Sequence, residues 1–197
     1  MSQGKSPEVP TGGRFTFFSE FLKHPLQVAS IIPSSRFVER RIVETAGVDF
    51  AKSIIELGPG TGGTTRAILN AMAPQARLLS IEINPRLYEL VTRIRDERFI
   101  AHNGSAEDLP EILSAYGVGI PEVLISGIPF STISRSSGSK ILEAISSVLA
   151  PGGRFVAYQV SSHVASICRP FLGTAQVEVQ LFNIPPLRIY RWEKNFR

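Results

Sequence analysis

The chain has 197 residues, room for one buried core but not for two. A hydrophobic fraction of 43% and a charged fraction of 19% are ordinary for a globular protein, and the single cysteine, Cys168, excludes an internal disulfide and a Cys-rich zinc site. No apolar run reaches the ~18 residues of a membrane span, and the net charge of +4 gathers at the two ends, which favours an anionic partner such as phosphate, nucleic acid or a lipid surface.

Residues 1–13 are polar with Pro and Gly and read as a disordered lead, with no secretory signal. From Arg14 to His24, Phe15, Phe18 and Leu22 recur at helical spacing with Phe17 and Phe21 beside them, and Ser19, Glu20 and Lys23 oppose them. This predicts a short amphipathic helix that stops before Pro25. A second helix is expected after Pro33-Ser34-Ser35, from about Arg36 to Ala46. Alternation then begins. Strands are predicted at Ser53–Leu57, Arg77–Ile83, Phe99–Asn103, Glu122–Ser126 and Arg154–Val160. Helices between them are predicted at Thr64–Met72, Pro85–Arg95, Leu109–Tyr116 and Gly138–Leu149. Such alternation means a parallel sheet with helices on both faces. The tail breaks the rhythm: Ala175–Leu181 and Leu187–Trp192 read as two strands of a hairpin with no helix between them, placing an antiparallel strand at the sheet edge.

The first strand runs into Gly58-Pro59-Gly60-Thr61-Gly62-Gly63 and then into a helix. Glycines at that turn let a ligand approach the backbone. Gly58, Gly60 and Gly63 also satisfy a dinucleotide pattern, so NAD is a competing reading. Glu82, at the end of the second strand, can accept from two ribose hydroxyls of either cofactor. Glu56 discriminates. It is a carboxylate inside a buried strand, where a dinucleotide fold has an apolar residue, and such a group is costly without a purpose.

Ile54-Ile55-Glu56-Leu57-Gly58-Pro59-Gly60-Thr61-Gly62 resembles the first motif of class I S-adenosylmethionine-dependent methyltransferases, and Ile81-Glu82-Ile83 resembles the second. Asn103-Gly104-Ser105-Ala106-Glu107 stands where that family contacts adenine, with Ser105 in place of the usual Asp. The resemblance implies a Rossmann-like three-layer α/β sandwich, a mostly parallel seven-stranded sheet ending in an antiparallel hairpin. It also implies S-adenosylmethionine as cofactor, held by Ser34, Ser35, Glu56, Gly58, Pro59, Gly60, Thr61, Gly62, Glu82, Ile83, Ser105, Ala106, Glu107 and Ser126. Domain limits follow: a lead with an amphipathic membrane-binding helix and lid at 1–35, and the methyltransferase domain at 36–197.

Ser126-Gly127-Ile128-Pro129-Phe130 resembles the Asn-Leu-Pro-Tyr motif of rRNA adenine dimethylases, with Gly127 where the Asn stands and Phe130 where the Tyr stands. A planar base loses half its recognition; a small aliphatic amine loses less. The Ser-Gly-x-Pro-Phe form is similar to bacterial phospholipid N-methyltransferases of the rRNA-dimethylase-like type. So are Ser30-Ile31-Ile32-Pro33-Ser34-Ser35 and the tail from Asn183 to Arg191. That resemblance implies successive methylation of phosphatidylethanolamine to phosphatidylcholine, with rRNA or another nucleic acid as the rival substrate.

The expected acceptor residues are Ser126, Gly127, Pro129, Phe130 and Tyr190. The carbonyls of Ser126 and Gly127 hold the amine, and Phe130 faces the methylated cation. The amine proton could go to water or to a side chain, with Tyr190, Asp108 and His163 the nearest candidates. Arg14, Phe18, Phe21, Leu22 and Lys23 suit an interfacial helix on anionic lipid, although the Phe stripe equally suits packing on the core. Arg188 and Arg191 could grip the lipid phosphate or be plain edge charges. The expected setting is cytoplasmic, peripheral on the inner face of the cytoplasmic membrane, as a monomer, with no metal and no nucleic acid bound.

Overall fold

The structure is a computed structural model and describes residues 36–180 and 186–195. The expected helix at Arg14–His24, and with it Ser34 and Ser35, lies outside the described residues. Apolar periodicity lays down the first described helix, α1 (Arg36–Ala46), which buries Val38, Ile42, Val43 and Ala46 on one stripe. Then come β1 (Ser53–Leu57), α2 (Gly63–Ala71), β2 (Arg77–Glu82), α3 (Pro85–Val91) and β3 (Phe99–Asn103). A short 3-10 turn at Ala106–Asp108 leads into α4 (Leu109–Tyr116), β4 (Val123–Ser126), α5 (Arg135–Val148) and β5 (Arg154–Gln159). The chain closes with α6 (His163–Leu172), β6 (Gln176–Gln180) and β7 (Leu187–Glu193).

The seven strands form one sheet in the order β3-β2-β1-β4-β5-β7-β6. The first five run parallel, and β7 runs antiparallel to both β5 and β6. The hairpin forms as expected, but its antiparallel strand is not the edge. β7 inserts between β5 and β6, where Trp192 stacks on Phe155 at 5.2 Å, and this leaves β6 outermost. A helix that the sequence reading omitted, α6, precedes the hairpin. It buries Val164 and Cys168, with Ile167 and Phe171 packed beside them, a clean i, i+3, i+4, i+7 stripe.

Strand alternation sorts the core. Ile54, Leu78, Val123, Ile125 and Val156 face α1 and α2, while Ile55, Leu79, Leu124 and Phe155 face α4, α5 and α6. Strand order reverses between β1, which pairs with β2, and β4, its other neighbour. The crevice above the carboxyl ends of those strands is where such a sheet takes its ligand.

Candidate active site

Glu56 lies in the interior of β1 and is fully buried on the α1–α2 side. One carboxylate oxygen, Oε2, accepts from Thr65 Oγ1 at 2.7 Å and from Ser80 Oγ at 2.6 Å. The other, Oε1, has no hydrogen-bond partner among the described residues. Burial pushes its pKa up to about 7, against the pull of the two hydroxyls, and the charge of Glu82 adds to the rise. A buried carboxylate with one oxygen unpartnered among the described residues keeps acceptor capacity for a further donor.

The glycine loop turns above it. Gly58 (φ 70°) and Gly60 (φ 59°) adopt left-handed backbone, which a side chain would strain. A Cβ on Gly60 would meet no atom of the other described residues within 4 Å, which leaves room for a ligand at that backbone. Pro59, Thr61 and Gly62 complete the turn, in which Gly62 N donates to Pro59 O at 3.0 Å. Glu82, nearly buried at the end of β2, ties the loop down: its Oε2 accepts from Gly60 N at 3.1 Å and its Oε1 from Asn84 N at 2.9 Å. Each oxygen keeps a lone pair for a further donor. Burial raises the Glu82 pKa, opposed by these amides. Next to it Ile83 stands 68% exposed, an apolar face beside the carboxylate.

Ser105, Ala106 and Glu107 follow β3 on the same edge of the sheet. Ser105 Oγ already accepts from Glu107 N at 3.1 Å, and Glu107 is drawn toward Lys140 on α5 at 3.5 Å.

The loop after β4 lies across the crevice. Gly127 N donates to Leu57 O at 2.9 Å, which ties this loop to β1. Ile128 O accepts from Phe130 N and from the side chain of Gln159, and Pro129 O accepts from Thr132 N and Oγ1. Ser126 Oγ accepts from Ile128 N at 3.3 Å. The Gly127 carbonyl accepts no hydrogen bond among the described residues.

Two expected residues are turned away from the crevice. Phe130 is 2% exposed and sits in the core against α5, so in this structure its ring does not face a cation. Tyr190 is equally buried and stacks on Trp192 at 5.9 Å, its hydroxyl 3.5 Å from Ser161 O. Burial raises its pKa, which makes it a poor proton acceptor. Arg188 and Arg191 are separated rather than brought together. Three apart on one strand, they project from opposite faces. Arg188, opposite Gln159, stays at the crevice end and donates to Val160 O at 2.7 Å; Arg191 lies mid-sheet beside Glu193 at 3.5 Å. Arg14, Phe18, Phe21, Leu22 and Lys23 are outside the described residues.

Sequence reasoning missed the polar support. Ser80 lies directly across the β1–β2 ladder from Glu56, and one hydroxyl inside an otherwise apolar strand was its signal. Thr65 follows the glycines in the first turn of α2. Tyr158 and Gln159, at the end of β5, have no local signal, because only the folded sheet brings them to the crevice.

No protein-family model matches the chain. An N-methyltransferase of Bradyrhizobium japonicum, solved with S-adenosyl-L-homocysteine, superposes with a TM-score of 0.67 over 91% of this chain and 96% of that one, at 12% identity. An O-methyltransferase of Streptomyces achromogenes gives 0.65 over 95% and 100%, at 16% identity. The fold is therefore that of the class I S-adenosylmethionine-dependent methyltransferases. In sequence, an ornithine lipid N-methyltransferase of Singulisphaera acidiphila is 30% identical over 143 residues, covering 72% of this chain and 74% of that one. A ribosomal RNA small subunit methyltransferase A of Rhodococcus opacus is 35% identical over 91 residues, and this chain spans only 27% of its length. The chain belongs to the same methyltransferase family as the Singulisphaera enzyme. S-adenosylmethionine fits the donors present: the free Oε1 of Glu56 suits its cationic methionine end, the open backbone at Gly60 leaves it room, and the remaining lone pairs of Glu82 suit a ribose diol.

Proposed function

We propose that this protein methylates the amine of a membrane lipid, with phosphatidylethanolamine and its partly methylated forms as acceptors and phosphatidylcholine as product. The loop after β4 carries the reading. It presents the carbonyl of Gly127, which accepts no hydrogen bond among the described residues and has no side chain of its own residue, and the ring of Phe130 is buried in the core. A nucleobase needs a ring to stack on and an acceptor placed in its own plane. An aliphatic amine needs only a carbonyl for one N–H. The lipid named for the Singulisphaera relative supports the same class of acceptor.

S-adenosylmethionine, when bound, supplies a methyl group activated by a sulfonium. The protein's task is then placement and exclusion of water. Glu56 would hold the cofactor's positive end, Glu82 its ribose and Ile83 its adenine, with Ser105 and Glu107 at the far rim. The Gly127 carbonyl, with that of Ser126, would hold the amine's N–H groups and so orient its lone pair for transfer. The nitrogen must arrive without its extra proton. Burial keeps both Tyr158 and Tyr190 protonated, which leaves water, Asp108 and His163 as the routes for that proton.

Among the described residues no helix is long and apolar enough to cross a membrane. We place the enzyme peripherally on the inner face of the cytoplasmic membrane, held by residues 1–35 through Phe18, Phe21 and Leu22 with Arg14 and Lys23 on anionic head groups. Residues 36–197 form the catalytic unit, and Arg188 is the cation at the crevice that suits a head-group phosphate. The test is transfer of labelled methyl from S-adenosylmethionine to phosphatidylethanolamine, ornithine lipid and unmethylated small-subunit rRNA in parallel. Label in phosphatidylethanolamine supports the full reading. Label in ornithine lipid alone keeps the lipid amine and corrects the head group, and label in rRNA alone refutes the proposal.

A further inference from the structure

Tyr158 sits near the end of β5 and directs its phenol toward the crevice, on the α1–α2 side of the sheet. Its oxygen comes to rest where a side chain on residue 127 would begin: a Cβ built on Gly127 would lie 2.4 Å from Tyr158 Oη and 2.8 Å from the carbonyl oxygen of Gly58. The same Oη accepts from Thr64 Oγ1 at 3.3 Å. Thr64 is buried in the first turn of α2, next to Thr65, which holds Glu56. One phenol thus meets both the start of the helix that follows the cofactor turn and the loop after β4, where Gly127 also lies close to the carbonyl of Gly58.

A ring serving only as core needs no oxygen, and an oxygen taken from water must be offset by a partner. Here the partner belongs to the element that carries the cofactor loop, and the contact on the other side belongs to the element that carries the open carbonyl. Two hydroxyls meet in the Thr64–Tyr158 pair and bring two protons. Their single contact uses one, and neither hydroxyl has another partner among the described residues. Burial holds the phenol in its neutral form, so it acts by contact and not by taking a proton. Residue 127 has to be glycine for the phenol to enter, and the phenol fills the space that glycine leaves.

We infer that Tyr158 is a positioning residue for methyl transfer, whose hydroxyl, seated between Gly127 and Thr64, fixes the spacing of the cofactor loop and the acceptor loop. This rests on the reading that an amine is held by the loop after β4, but it does not depend on which amine. Transfer needs the nitrogen at near-contact distance from the methyl carbon, and an error of about 1 Å costs on the order of a hundredfold in rate.

The experiment uses the full-length protein and whichever acceptor the wild type labels, so failure of the lipid reading shows in the wild type and is distinct from failure here. Tyr158→Phe keeps the ring and removes the oxygen; Thr64→Val removes its partner and Thr64→Ser keeps it. With the melting temperature of each variant measured, Tyr158→Phe is expected to lower kcat on the order of tenfold. KM and the calorimetric Kd for S-adenosylmethionine should stay within about twofold. Thr64→Val should match it, Thr64→Ser should restore most of the rate, and the Tyr158→Phe, Thr64→Val double variant should be no slower than either alone. If kcat holds in Tyr158→Phe while cofactor affinity falls, the hydroxyl serves the cofactor and the inference is overturned. Unchanged kcat and affinity with a lower melting temperature overturns it too, leaving a purely structural residue.

Discussion

Oε2 of Glu56 accepts the hydroxyl of Ser80, the residue directly opposite it in the β1–β2 ladder, at 2.6 Å. A carboxylate facing a hydroxyl across two buried parallel strands is a polar pair inside an apolar sheet. It holds one oxygen of the acid, and the other is buried without a partner among the described residues.

The pair makes stability depend on pH in a defined direction. Glu56 is pushed up to about 7 from an ordinary value of 4.5, chiefly by burial, and Glu82 is shifted the same way. Between those values the folded protein holds more protons than the unfolded chain. The stability so gained is whole below about pH 4.5 and is lost as pH rises through about 7. Asp96 titrates in a separate window, because its hydrogen bonds to Arg98 hold it down to about 2. Melting temperature should therefore fall as pH goes from about 5 to about 8. Ser80→Ala, by removing a donor to the charged form, should move the fall to higher pH. A flat profile over that interval would refute the assignment.

Cofactor binding should run the other way. A cationic ligand beside Glu56 favours the carboxylate, so binding below about pH 7 should release a proton and affinity should rise with pH. Calorimetry in buffers of different ionisation enthalpy reads that proton directly. Equal heats in all buffers at about pH 6 would mean that Glu56 does not ionise on binding.

Much of this was legible in the sequence, and the omissions have physical causes. Glu56 stood out because a charge in a buried strand contradicts its surroundings, and Glu82 because it ends the second strand, where a ribose acceptor is expected. The glycines between them stood out because only special backbone needs so many. Helix α6 was passed over although Val164, Ile167, Cys168 and Phe171 keep helical spacing, since the Pro170 inside it reads as a breaker. Helix α5 begins at Arg135, three residues before the expected Gly138, because Ser134 caps it by accepting from Ser137 N, a function hidden in a serine-rich stretch that reads as loop. Period-two counting would have separated Arg188 from Arg191 in advance. The insertion of β7 between β5 and β6, the burial of Phe130 and the wedge at Tyr158 arise from packing between distant segments, which no local pattern carries.

Glu82→Ala should weaken S-adenosylmethionine binding by ~1–3 kcal/mol, roughly fivefold to a hundredfold, through lost acceptors for the ribose. Part of that loss is indirect, because Glu82 also holds Gly60 N and Asn84 N. Glu82→Gln keeps one acceptor oxygen and should fall between wild type and Ala. Calorimetric titration of the three proteins checks the order, and tight binding of NAD by the wild type would overturn the cofactor.

The two basic residues of β7 should differ in their effect on turnover. Arg188 lies at the crevice end and Arg191 at mid-sheet beside Glu193. If a head-group phosphate is bound, Arg188→Ala should raise KM for the lipid several-fold, with kcat little changed and a stronger effect at low salt. Arg191→Ala should leave KM where it was. Equal effects from both would mean that neither acts through the crevice.

Gly60 and Gly127 make a matched pair of substitutions with opposite signatures. At Gly60 a Cβ meets no atom of the other described residues within 4 Å, so Gly60→Ala costs those residues only the left-handed backbone, ~1–2 kcal/mol. That Cβ would project into the space where the cofactor fits, and binding should drop at least tenfold, well beyond the stability change. At Gly127 the Cβ would collide with Tyr158 Oη and with the backbone oxygen of Gly58. The phenol can swing aside, but the Gly58 carbonyl cannot move without carrying the cofactor turn with it. Gly127→Ala should therefore destabilise the fold by ~1–3 kcal/mol, a fall in melting temperature of roughly 2–12 °C for a domain of this size. Tyr158→Ala in the same chain should recover only part of that loss, since the carbonyl contact persists. Thermal melts and cofactor titrations of the four proteins settle the pair: a Gly127→Ala chain as stable as wild type would show that the two loops do not meet as described.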